Sequence, residues 1–431
     1  MNALENIKKL EDDIGKCAKC GLCQVVCPIF LELGQESSVA RGKIALVEAL
    51  SEGKIKATSN FAEKIQCCLL CGRCVKNCPN SVRVDHIVFK SRTIIADIRG
   101  ILPVKCFLLK VILRYQQLLN IGIKIVSTFQ ILLFKQTHLN NTHRSRLSIG
   151  LNRRRIVLPL SKKALRDEWP EFNLAHLSRG KVVLFIGCII NFILTRTGDA
   201  VIKVLLEYGI DVIIPKGQSC CGIVAMASGD ETTFRKLAKK NLKLLSKLNA
   251  DAIIVACATC KSTLQHKYLS LLFNEPSEFH DMAEKVAGKT YDICEYLINI
   301  LRIRNLPQKT LKNPSKKTIV TYHDPCHPRR GQMGGSQERE LINMIDYVTL
   351  KEMPMLGRCC GGGGSFNLSY YNLSVKIGEK RIADIEKTGA DIVLTHCSGC
   401  HMQLIDILTQ RSSSIQVKHP VDLYFEAIKT F

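Results

Sequence analysis

The sequence predicts an α+β multidomain protein in which an all-α N-terminal domain precedes two duplicated α/β domains with parallel sheets. Three observations support this fold class. Nine cysteines are concentrated in the first hundred residues, where the intervening sequence is typical of short helices. After about residue 180, short aliphatic runs alternate with helical stretches, as in parallel α/β units. Five cysteines of the first α/β half then recur in the second half.

The composition favours bound metal over disulfides. The chain has 431 residues and 21 cysteines, and its first residues, MNALENIKKLEDDIGK, contain neither an apolar core nor a cleavage site of a secretory signal. We therefore expect a reducing compartment, in which clustered cysteines bind metal. The formal net charge is +23, but the basic residues are dispersed and no recognisable nucleic-acid-binding motif accompanies them. We expect a mildly basic surface and no nucleic-acid partner.

Two runs of four cysteines dominate the N-terminal domain, which we place at 1–100. CAKCGLCQVVCP and CLLCGRCVKNCP both follow the C-x2-C-x2-C-x3-C-P spacing of two-cluster ferredoxins, in which the fourth cysteine binds the other cluster. The predicted ligands are Cys17, Cys20, Cys23 and Cys78 for one [4Fe–4S] cluster and Cys68, Cys71, Cys74 and Cys27 for the other. Zinc also binds cysteine pairs at short spacing, but two runs of four with a closing proline favour iron–sulfur clusters.

The segment 101–178 is predicted to be an amphipathic helical linker. Residues 103–135 are largely apolar, but their longest uncharged run, 125–134, is well short of the roughly 20 residues that cross a bilayer. Polar residues recur at steps of three, four or seven, so one face of the helix should be polar and basic. The helix either packs on the protein, which is the commoner role, or lies on a membrane surface, from which salt should release it.

Two α/β domains are predicted at 179–304 and 317–431. The cysteines of the first are Cys188, Cys220, Cys221, Cys257 and Cys260, and they recur as Cys326, Cys359, Cys360, Cys397 and Cys400, at offsets of 138 to 140 residues. Five matched positions indicate a duplicated domain. Most of these cysteines follow predicted strands, and loops at the carboxyl ends of parallel strands converge at one edge of a sheet. The glycine after each Cys-Cys pair allows a tight turn. We therefore expect each set of five thiolates to bind one cluster, with iron held by the cysteines.

The repeated pattern of a cysteine, Cys-Cys-Gly and Cys-x-x-Cys resembles the cysteine-rich CCG domain of heterodisulfide reductases. The resemblance implies one or two further [4Fe–4S] clusters, which can be noncubane in that family. A helical two-cluster ferredoxin domain followed by two CCG domains is also similar to the iron–sulfur subunits of glycolate oxidase, of anaerobic glycerol-3-phosphate dehydrogenase and of lactate dehydrogenase complexes. The resemblance covers nearly the whole chain.

Several residues near the cysteines have two interpretations. His323, His327, His396 and His401 lie beside predicted ligands and could tune cluster potential or carry protons, but a structural role is the commoner one. The GGGGSF sequence after Cys360 offers backbone N–H groups to cluster sulfurs or to an anion, and it does not have the spacing of a dinucleotide-binding loop. Cys67, Cys106 and Cys294 are not assigned as ligands.

The sequence favours a subunit that transfers electrons. No flavin site, nicotinamide site or catalytic constellation stands out, so no catalytic residue is assigned. The resemblance implies an oxidoreductase in which a separate FAD-dependent 2-hydroxy-acid dehydrogenase, of the glycolate or lactate type, supplies electrons. They would pass to a quinone, a membrane subunit or another carrier, in the cytoplasm or at the cytoplasmic membrane face. Two alternatives stay open: a disulfide reductase like the heterodisulfide reductases, and the iron–sulfur subunit of anaerobic glycerol-3-phosphate dehydrogenase.

The number of complete motifs predicts the iron content. Protein prepared without oxygen should contain about sixteen irons per chain, four for each of four [4Fe–4S] clusters. Iron and acid-labile sulfide analysis, combined with electron paramagnetic resonance of the reduced protein, would measure this. An iron content near eight, with signals of cubane clusters only, would show that the two CCG motifs hold no cluster.

Overall fold

A computed structural model describes residues 10–100, 116–137, 142–146, 152–272, 275–306, 317–326 and 336–429. The chain divides into two compact units. The first unit comprises 1–114, 222–234 and 359–381, and the second comprises 115–221, 235–358 and 382–431. Cys106, His327 and the first part of the predicted amphipathic segment, 103–115, lie outside the described residues.

Helices and short strands alternate along the chain. The helices are α1 (Glu11–Gly15), α2 (Leu22–Val26), α3 (Phe30–Leu33), α4 (Ala40–Ser51), α5 (Ser59–Gln66), α6 (Arg73–Lys76), α7 (Val84–Arg99), α8 (Gln116–Leu133), α9 (Leu165–Glu168), α10 (Cys188–Phe192), α11 (Thr195–Glu207), α12 (Ile223–Ala227), α13 (Glu231–Leu245), α14 (Ala258–Ser262), α15 (Tyr268–Leu272), α16 (Ser277–Lys289), α17 (Ile293–Glu295), α18 (Ser336–Asn343), α19 (Ser365–Ser369), α20 (Tyr371–Glu386), α21 (Ser398–Gln410) and α22 (Pro420–Ile428). The strands are β1 (Phe134–Gln136), β2 (His143–Ser145), β3 (Ile156–Val157), β4 (Phe172–Asn173), β5 (Gly180–Phe185), β6 (Ile210–Ile213), β7 (Ala252–Val255), β8 (Thr290–Asp292), β9 (Thr318–Tyr322), β10 (Val348–Leu350), β11 (Ile392–Leu394) and β12 (Gln416–Lys418). A 3-10 turn lies at Glu36–Ser38, and π-helical turns lie at Thr263–Lys267 and Tyr296–Ile300.

The helices of the ferredoxin region pack around one hydrophobic core in the first unit. Helices α4, α5 and α7 each contribute buried aliphatic residues at helical spacing, such as Ile44 and Val47 of α4 and Ile87 of α7. The N-terminal helix α1 is attached by a buried carboxylate, because Asp13 accepts hydrogen bonds from Nε and Nη2 of Arg83, at 3.1 and 2.8 Å. The cysteine loops lie around this core, and several of their cysteines pack against it.

The two segments that follow the Cys-Cys-Gly motifs also belong to the first unit. The buried guanidinium of Arg92, in α7, donates to the carbonyl oxygens of Ala227 (2.8 Å), Gln66 (2.8 Å) and Cys68 (2.6 Å). It therefore joins the segment 222–234 to the second ferredoxin loop. The segment 359–381 contributes apolar residues to a smaller cluster, which contains Ile29, Cys67, Leu69, Cys359, Phe366 and Ile377.

Two sheets of the same topology form the second unit. One has the order β4-β6-β5-β7-β8, in which β6, β5, β7 and β8 are parallel and the short β4 is antiparallel to β6. The other has the order β10-β9-β11-β12 and is parallel throughout. The order β6-β5-β7-β8 of the first sheet matches the order β10-β9-β11-β12 of the second. The predicted fold class is therefore confirmed, and the repetition of the cysteines reflects a repetition of the fold.

The two sheets share a hydrophobic core through the helices on their faces. Helix α11 packs on helix α22, and the cluster that contains Val201 and Leu205 of α11 also contains Val421 and Tyr424 of α22. The hydroxyls of Tyr208 and Tyr424 are hydrogen-bonded to each other, and Thr197 donates to Asp422 at 3.0 Å. The two α/β repeats are thus halves of one packed body.

The segment between the ferredoxin region and the first α/β repeat contains one long helix, α8, and a small antiparallel sheet with the order β1-β2-β3. The helix contacts the protein through Ser127 and Gln130, and most of its large apolar residues are exposed. The helix therefore lies against the protein along part of its surface, and the alternative of a membrane-surface role stays open. Among the described residues, none of the helices has both the length and the apolar character that a membrane crossing requires.

Candidate iron–sulfur sites

The two N-terminal cysteine loops have the same backbone shape, repeated 51 positions apart. The residue before the second cysteine is in the left-handed region in both loops, although it is not glycine: φ is 55° at Lys19 and 52° at Leu70. Glycine follows the second cysteine in both loops, with φ of 86° at Gly21 and 70° at Gly72, and it caps the short helix α2 or α6. Conformations of this kind persist only where their surroundings require them, and here they wrap each loop around a cavity.

Each loop lines one cavity together with a cysteine from the other loop. The first cavity, with an empty volume of about 420 Å³, is lined by Cys17, Cys20, Cys23, Cys74 and Cys78. The second, of about 460 Å³, is lined by Cys27, Cys68, Cys71 and Cys74. Cys78 of the second run thus lies in the wall of the first cavity, and Cys27 of the first run lies in the wall of the second. Each cavity has all four thiols of one predicted set in its wall, and four thiols are the donor set that a [4Fe–4S] cluster needs.

Two buried cations lie near the second cavity, and the sequence patterns did not identify them. The ammonium of Lys43 donates to the carbonyl oxygens of Ser37 (3.2 Å) and Lys64. Burial lowers its pKa, although the neighbouring Cys68, Cys67 and Cys27 favour its charged form. Arg92 is the second cation, and its contact with the Cys68 carbonyl oxygen brings its charge to the same loop. Buried positive charge beside thiolates stabilises their ionised form and that of any anionic cluster they hold.

The five cysteines of the first CCG motif come together in the second unit. Cys188 and Cys257 follow strands β5 and β7, and the sulfurs of Cys188 and Cys220 are 3.7 Å apart. Cys260 interacts with both Cys221 and Cys257, and Cys188 is close to Cys257. Gly222 has the left-handed conformation (φ 90°) that the tight turn after the cysteine pair requires. The structure thus places these thiols together near the carboxyl ends of parallel strands.

Side chains behind the first motif hold its Cys-Cys turn in place, and sequence reasoning did not find them. Asn241 donates to the carbonyl oxygen of Cys220 (3.1 Å) and accepts from the backbone N–H of Ser219 (2.9 Å). The hydroxyl of Tyr268 donates to the carbonyl oxygen of Cys221 at 3.0 Å. All of these groups are buried, so their hydrogen bonds compete little with water and fix the direction of both thiols. A lone Asn and a lone Tyr within helices carry no sequence signal for this role.

The cysteines of the second motif are distributed between the two units. Cys326, Cys397 and Cys400 belong to the second unit, where Cys397 and Cys400 are buried at the start of α21. Cys359 and Cys360 are buried in the first unit, and their turn ends at Gly361 with φ 83°. A side chain at Gly361 would overlap the carbonyl oxygen of Ser374 in α20.

Two contacts join cysteines of different predicted sets. In the first unit, Cys27 and Cys71 pack against the hydrophobic cluster that contains Cys359. Burial raises the pKa of Cys71, and the nearby Cys359 raises it further. In the second unit, the C-A-T-C loop that begins at Cys257 faces the C-S-G-C loop that begins at Cys397.

The contact between the C-A-T-C and C-S-G-C loops is reciprocal. The Cys257 sulfur lies 3.0 Å from the Ser398 hydroxyl, and the Cys397 sulfur lies 3.4 Å from the Thr259 hydroxyl. The backbone N–H of Ala258 donates to the carbonyl oxygen of His396 at 2.9 Å. Hydrogen bonds from Cys260 and Cys397 lower the pKa of Cys257 well below its usual value, so this sulfur is already disposed to be a thiolate.

The described histidines near the cysteines are all buried. His396 makes a hydrogen bond with the Tyr322 hydroxyl, and its Nδ1 lies 3.3 Å from a carboxylate oxygen of Glu338. Burial lowers the pKa of His401 to about 4, so this ring is neutral at physiological pH. Burial also raises the pKa of Asp292, which the carboxylate of Glu338 raises further, to about 6. These groups form a buried polar layer next to the Cys-x-x-Cys loops.

Comparison with known protein families assigns the domains. A 4Fe-4S dicluster domain matches residues 13–82, and a cysteine-rich domain of the CCG type matches both 182–265 and 320–405. The chain therefore belongs to the iron–sulfur proteins that combine a 4Fe-4S dicluster domain with two CCG cysteine-rich domains. The family resemblance predicted from the sequence is confirmed, and so is the presence of iron–sulfur chemistry.

Particular relatives span most of the chain. The chain is 27% identical over 428 residues to the "Probable glycolate oxidase iron-sulfur subunit" of Bacillus subtilis, covering 97% of this chain and 94% of that protein. It is 27% identical over 408 residues to an uncharacterized iron-sulfur protein of Methanococcus maripaludis, covering 94% and 69%. Lactate utilization protein A of Halalkalibacterium halodurans is 29% identical over 240 residues, which cover 56% of this chain and 94% of that protein.

A solved structure shares the fold. The crystal structure of a hypothetical protein from Helicobacter pylori aligns with a TM-score of 0.55 at 11% sequence identity, covering 100% of this chain and 77% of that one. At this identity the similarity establishes the fold. Among the relatives, the Bacillus subtilis protein is named as the iron-sulfur subunit of a probable glycolate oxidase.

The conformation at Gly361 predicts a selective loss of one cluster. Gly361→Ala adds a Cβ at a left-handed residue, where it overlaps the Ser374 carbonyl oxygen, so the turn of Cys359 and Cys360 must move. We expect the variant to lose about four irons per chain and to retain the ferredoxin signals. Gly399→Ala is the matched control, because its Cβ would make an ordinary contact at 3.8 Å from the Cys397 sulfur. Iron analysis and electron paramagnetic resonance would compare the two, and full iron content in Gly361→Ala would contradict the prediction.

Proposed function

We propose that this protein is the electron-transfer subunit of an oxidoreductase complex, in which a separate FAD-dependent dehydrogenase oxidises a 2-hydroxy acid of the glycolate or lactate type. The subunit passes the electrons to a quinone, a membrane subunit or another carrier. The names of relatives support this substrate class, because they describe a glycolate oxidase iron-sulfur subunit and lactate utilization proteins. The observation that carries the proposal is that cysteines of different predicted sets lie next to each other, Cys71 beside Cys359 and Cys257 beside Cys397.

The first step of the proposed relay lies between the two ferredoxin clusters. We assign one cubane [4Fe–4S] cluster to each cavity, with the ligand sets Cys17, Cys20, Cys23 and Cys78, and Cys68, Cys71, Cys74 and Cys27. The two cavities share wall residues, since Ala40, Cys74 and Val84 line both. A single layer of side chains therefore separates the two sites, and electrons need to cross only this layer.

The next steps involve the two CCG sets, which we propose hold one further [4Fe–4S] cluster each, noncubane in form. The ligands of the second CCG cluster are Cys326, Cys359, Cys360, Cys397 and Cys400. Those of the first CCG cluster are Cys188, Cys220, Cys221, Cys257 and Cys260. Cys359 of the second CCG set adjoins Cys71 of a ferredoxin set. Cys397, also of the second CCG set, adjoins Cys257 of the first CCG set. The proposed order is therefore ferredoxin clusters, second CCG cluster, first CCG cluster, in either direction.

Each cluster supplies one-electron redox chemistry when bound, and the protein supplies the environment. The buried Lys43 and Arg92 favour the more negatively charged, reduced state of a cluster at the second cavity, which should raise its potential. The reciprocal contacts of the Cys257 and Cys397 loops hold these two cysteines of different CCG sets close to each other. We also propose that the complex works in the cytoplasm at the membrane face, where a quinone acceptor is available.

The proposal predicts electron transfer without disulfide reduction. The isolated chain with intact clusters should accept electrons from a reduced flavoprotein 2-hydroxy-acid dehydrogenase, and it should not reduce low-molecular-weight heterodisulfides. Cys360→Ser should damage the second CCG cluster and interrupt delivery to the first, and the ferredoxin signals should remain. Stopped-flow absorbance and freeze-quench electron paramagnetic resonance would follow the electrons.

A matched control separates loss of a ligand from loss of structure. Cys294→Ser changes a fully buried cysteine outside every proposed ligand set, so it should leave all cluster signals unchanged. Sustained heterodisulfide turnover by the wild type, lost in Cys360→Ser and kept in Cys294→Ser, would replace the relay proposal with the disulfide reductase alternative. Electron transfer from reduced glycerol-3-phosphate dehydrogenase, and not from a 2-hydroxy-acid dehydrogenase, would favour the other alternative.

A further inference from the structure

Helix α8 presents an apolar stripe to solvent. Five large apolar residues are spaced three or four positions apart along one side of the helix, and about half of each side chain is exposed or more: Leu118 (46%), Ile121 (54%), Ile125 (55%), Phe129 (52%) and Leu132 (69%). We call these five residues the α8 stripe. At 1.5 Å per residue the helix is about 27 Å long, so the stripe is a continuous apolar surface. Isolated exposed apolar residues are common, but a contiguous stripe of this length marks an interaction surface.

The opposite side of α8 attaches the helix to the protein by polar contacts. Gln130 donates to the carbonyl oxygen of Leu160 at 3.2 Å and accepts from the backbone N–H of Leu160 at 3.1 Å. Ser127 is buried on the same side, and its hydroxyl donates to the carbonyl oxygen of Lys124. The paired hydrogen bonds of Gln130 fix the rotation of the helix about its axis. The helix therefore attaches to the protein through Ser127 and Gln130 and leaves the α8 stripe exposed, whereas an ordinary surface helix buries its most apolar face.

The sequence around α8 is positively charged throughout. From Ile98 to Arg166 there are fourteen Lys and Arg residues and no Asp or Glu, so these 69 residues supply 14 of the 23 net positive charges of the chain. Exposed cations lie on the segments that follow the helix: Lys135, Arg144, Arg146, Arg153, Arg154, Lys162 and Lys163. Lys124 of α8 is also exposed, and it pairs with Asp167 at 3.6 Å. The strand pair β1 and β2 brings Arg144 and Arg146 to the end of α8, where the backbone N–H of Arg146 donates to the carbonyl oxygen of Leu133.

We infer that the α8 stripe docks this protein on an anionic lipid bilayer, with the helix lying in the plane of the interface. An apolar helix face with cations beside it is the arrangement of interfacial helices, whose side chains enter the acyl boundary while cations contact lipid phosphates. The excess of cations over these 69 positions favours attraction to a negatively charged surface, and the nearby carboxylate of Asp167 is paired with Lys124 of α8 at 3.6 Å. Shallow docking also agrees with the absence of a membrane-crossing helix among the described residues.

Docking of this kind would hold the clusters at the surface where a lipid-soluble electron acceptor is found. It does not depend on which dehydrogenase supplies the electrons, so it can be tested with the isolated chain. Apolar insertion and headgroup attraction contribute separately. Removing the apolar stripe should therefore abolish binding at any salt concentration, and removing cations should weaken binding mainly at low salt.

The test is flotation of the anaerobically purified, cluster-loaded chain with vesicles of phosphatidylcholine alone or of phosphatidylcholine and phosphatidylglycerol. The wild type should float with the anionic vesicles and less with the neutral ones, and high salt should reduce flotation. Ile125→Glu/Phe129→Glu should reduce the fraction bound by about tenfold or more. Arg144→Glu/Arg146→Glu should weaken binding and reduce its salt dependence. Leu174→Glu/Leu177→Glu is the matched control, because these leucines are exposed (78% and 72%) outside α8 and should not affect binding.

Cluster absorbance and circular dichroism confirm that each variant is folded, and electron uptake from a reduced flavoprotein in solution separates this proposal from the proposed function. Folded Ile125→Glu/Phe129→Glu protein that still accepts electrons and no longer floats would support docking through the stripe. Equal flotation of this variant and the wild type would overturn the proposal. Absence of wild-type flotation would also overturn it. If the wild type were in that case a dimer and the variant a monomer, a second copy of the chain would be the group that covers the stripe.

Discussion

The structure depends on bringing negatively charged sulfurs close together. Thiolates within a few ångströms of one another repel, and burial raises the free energy of each charge, so a chain without countermeasures would keep its cysteines protonated and apart. Burial accordingly raises the pKa of Cys23, Cys27 and Cys74. The chain opposes this tendency with rigid turns, with buried cations and with hydrogen bonds to the cysteine backbone. Cluster iron supplies the remaining positive charge when it is bound.

The chain contains two kinds of repeat, the cysteine runs of the ferredoxin region and the α/β repeats. The ferredoxin runs repeat after 51 residues and reproduce even the unfavourable left-handed residues Lys19 and Leu70. The α/β repeats reproduce the strand order and the glycine after the Cys-Cys pair. Different groups lie against the two Cys-Cys turns, however, because Asn241 and Tyr268 donate to carbonyl oxygens of the first turn and the carbonyl oxygen of Ser374 lies against Gly361 of the second. The duplicated ligand sets therefore lie in different surroundings, which allows their potentials to differ.

The two proposals, electron transfer and membrane attachment, involve separate parts of the chain. The contacts of Cys71 with Cys359 and of Cys257 with Cys397 lie among buried residues, where solvent and substrate have little access. The α8 stripe lies on the surface, on a segment that contains one cysteine, Cys106, outside the proposed ligand sets. A relay of buried centres needs a partner only at its ends. A surface that is apolar and positively charged can therefore serve attachment without disturbing the clusters.

The sequence by itself determined the kind of metal centre, the duplicated domains and the fold class, because ligand spacing and strand–helix alternation are local properties of the chain. The Cys-Cys-Gly turns follow from residue type, since glycine tolerates the positive φ at Gly222 and Gly361. The tertiary structure decided which residues support the clusters. Lys43 and Arg92 occupy ordinary helical positions, and only packing brings them to the cysteine loops. It also decided the orientation of α8. Periodicity shows which residues share a face of a helix but not which face turns toward the protein, and here the hydrogen bonds of Gln130 with Leu160 hold the helix so that the α8 stripe is exposed.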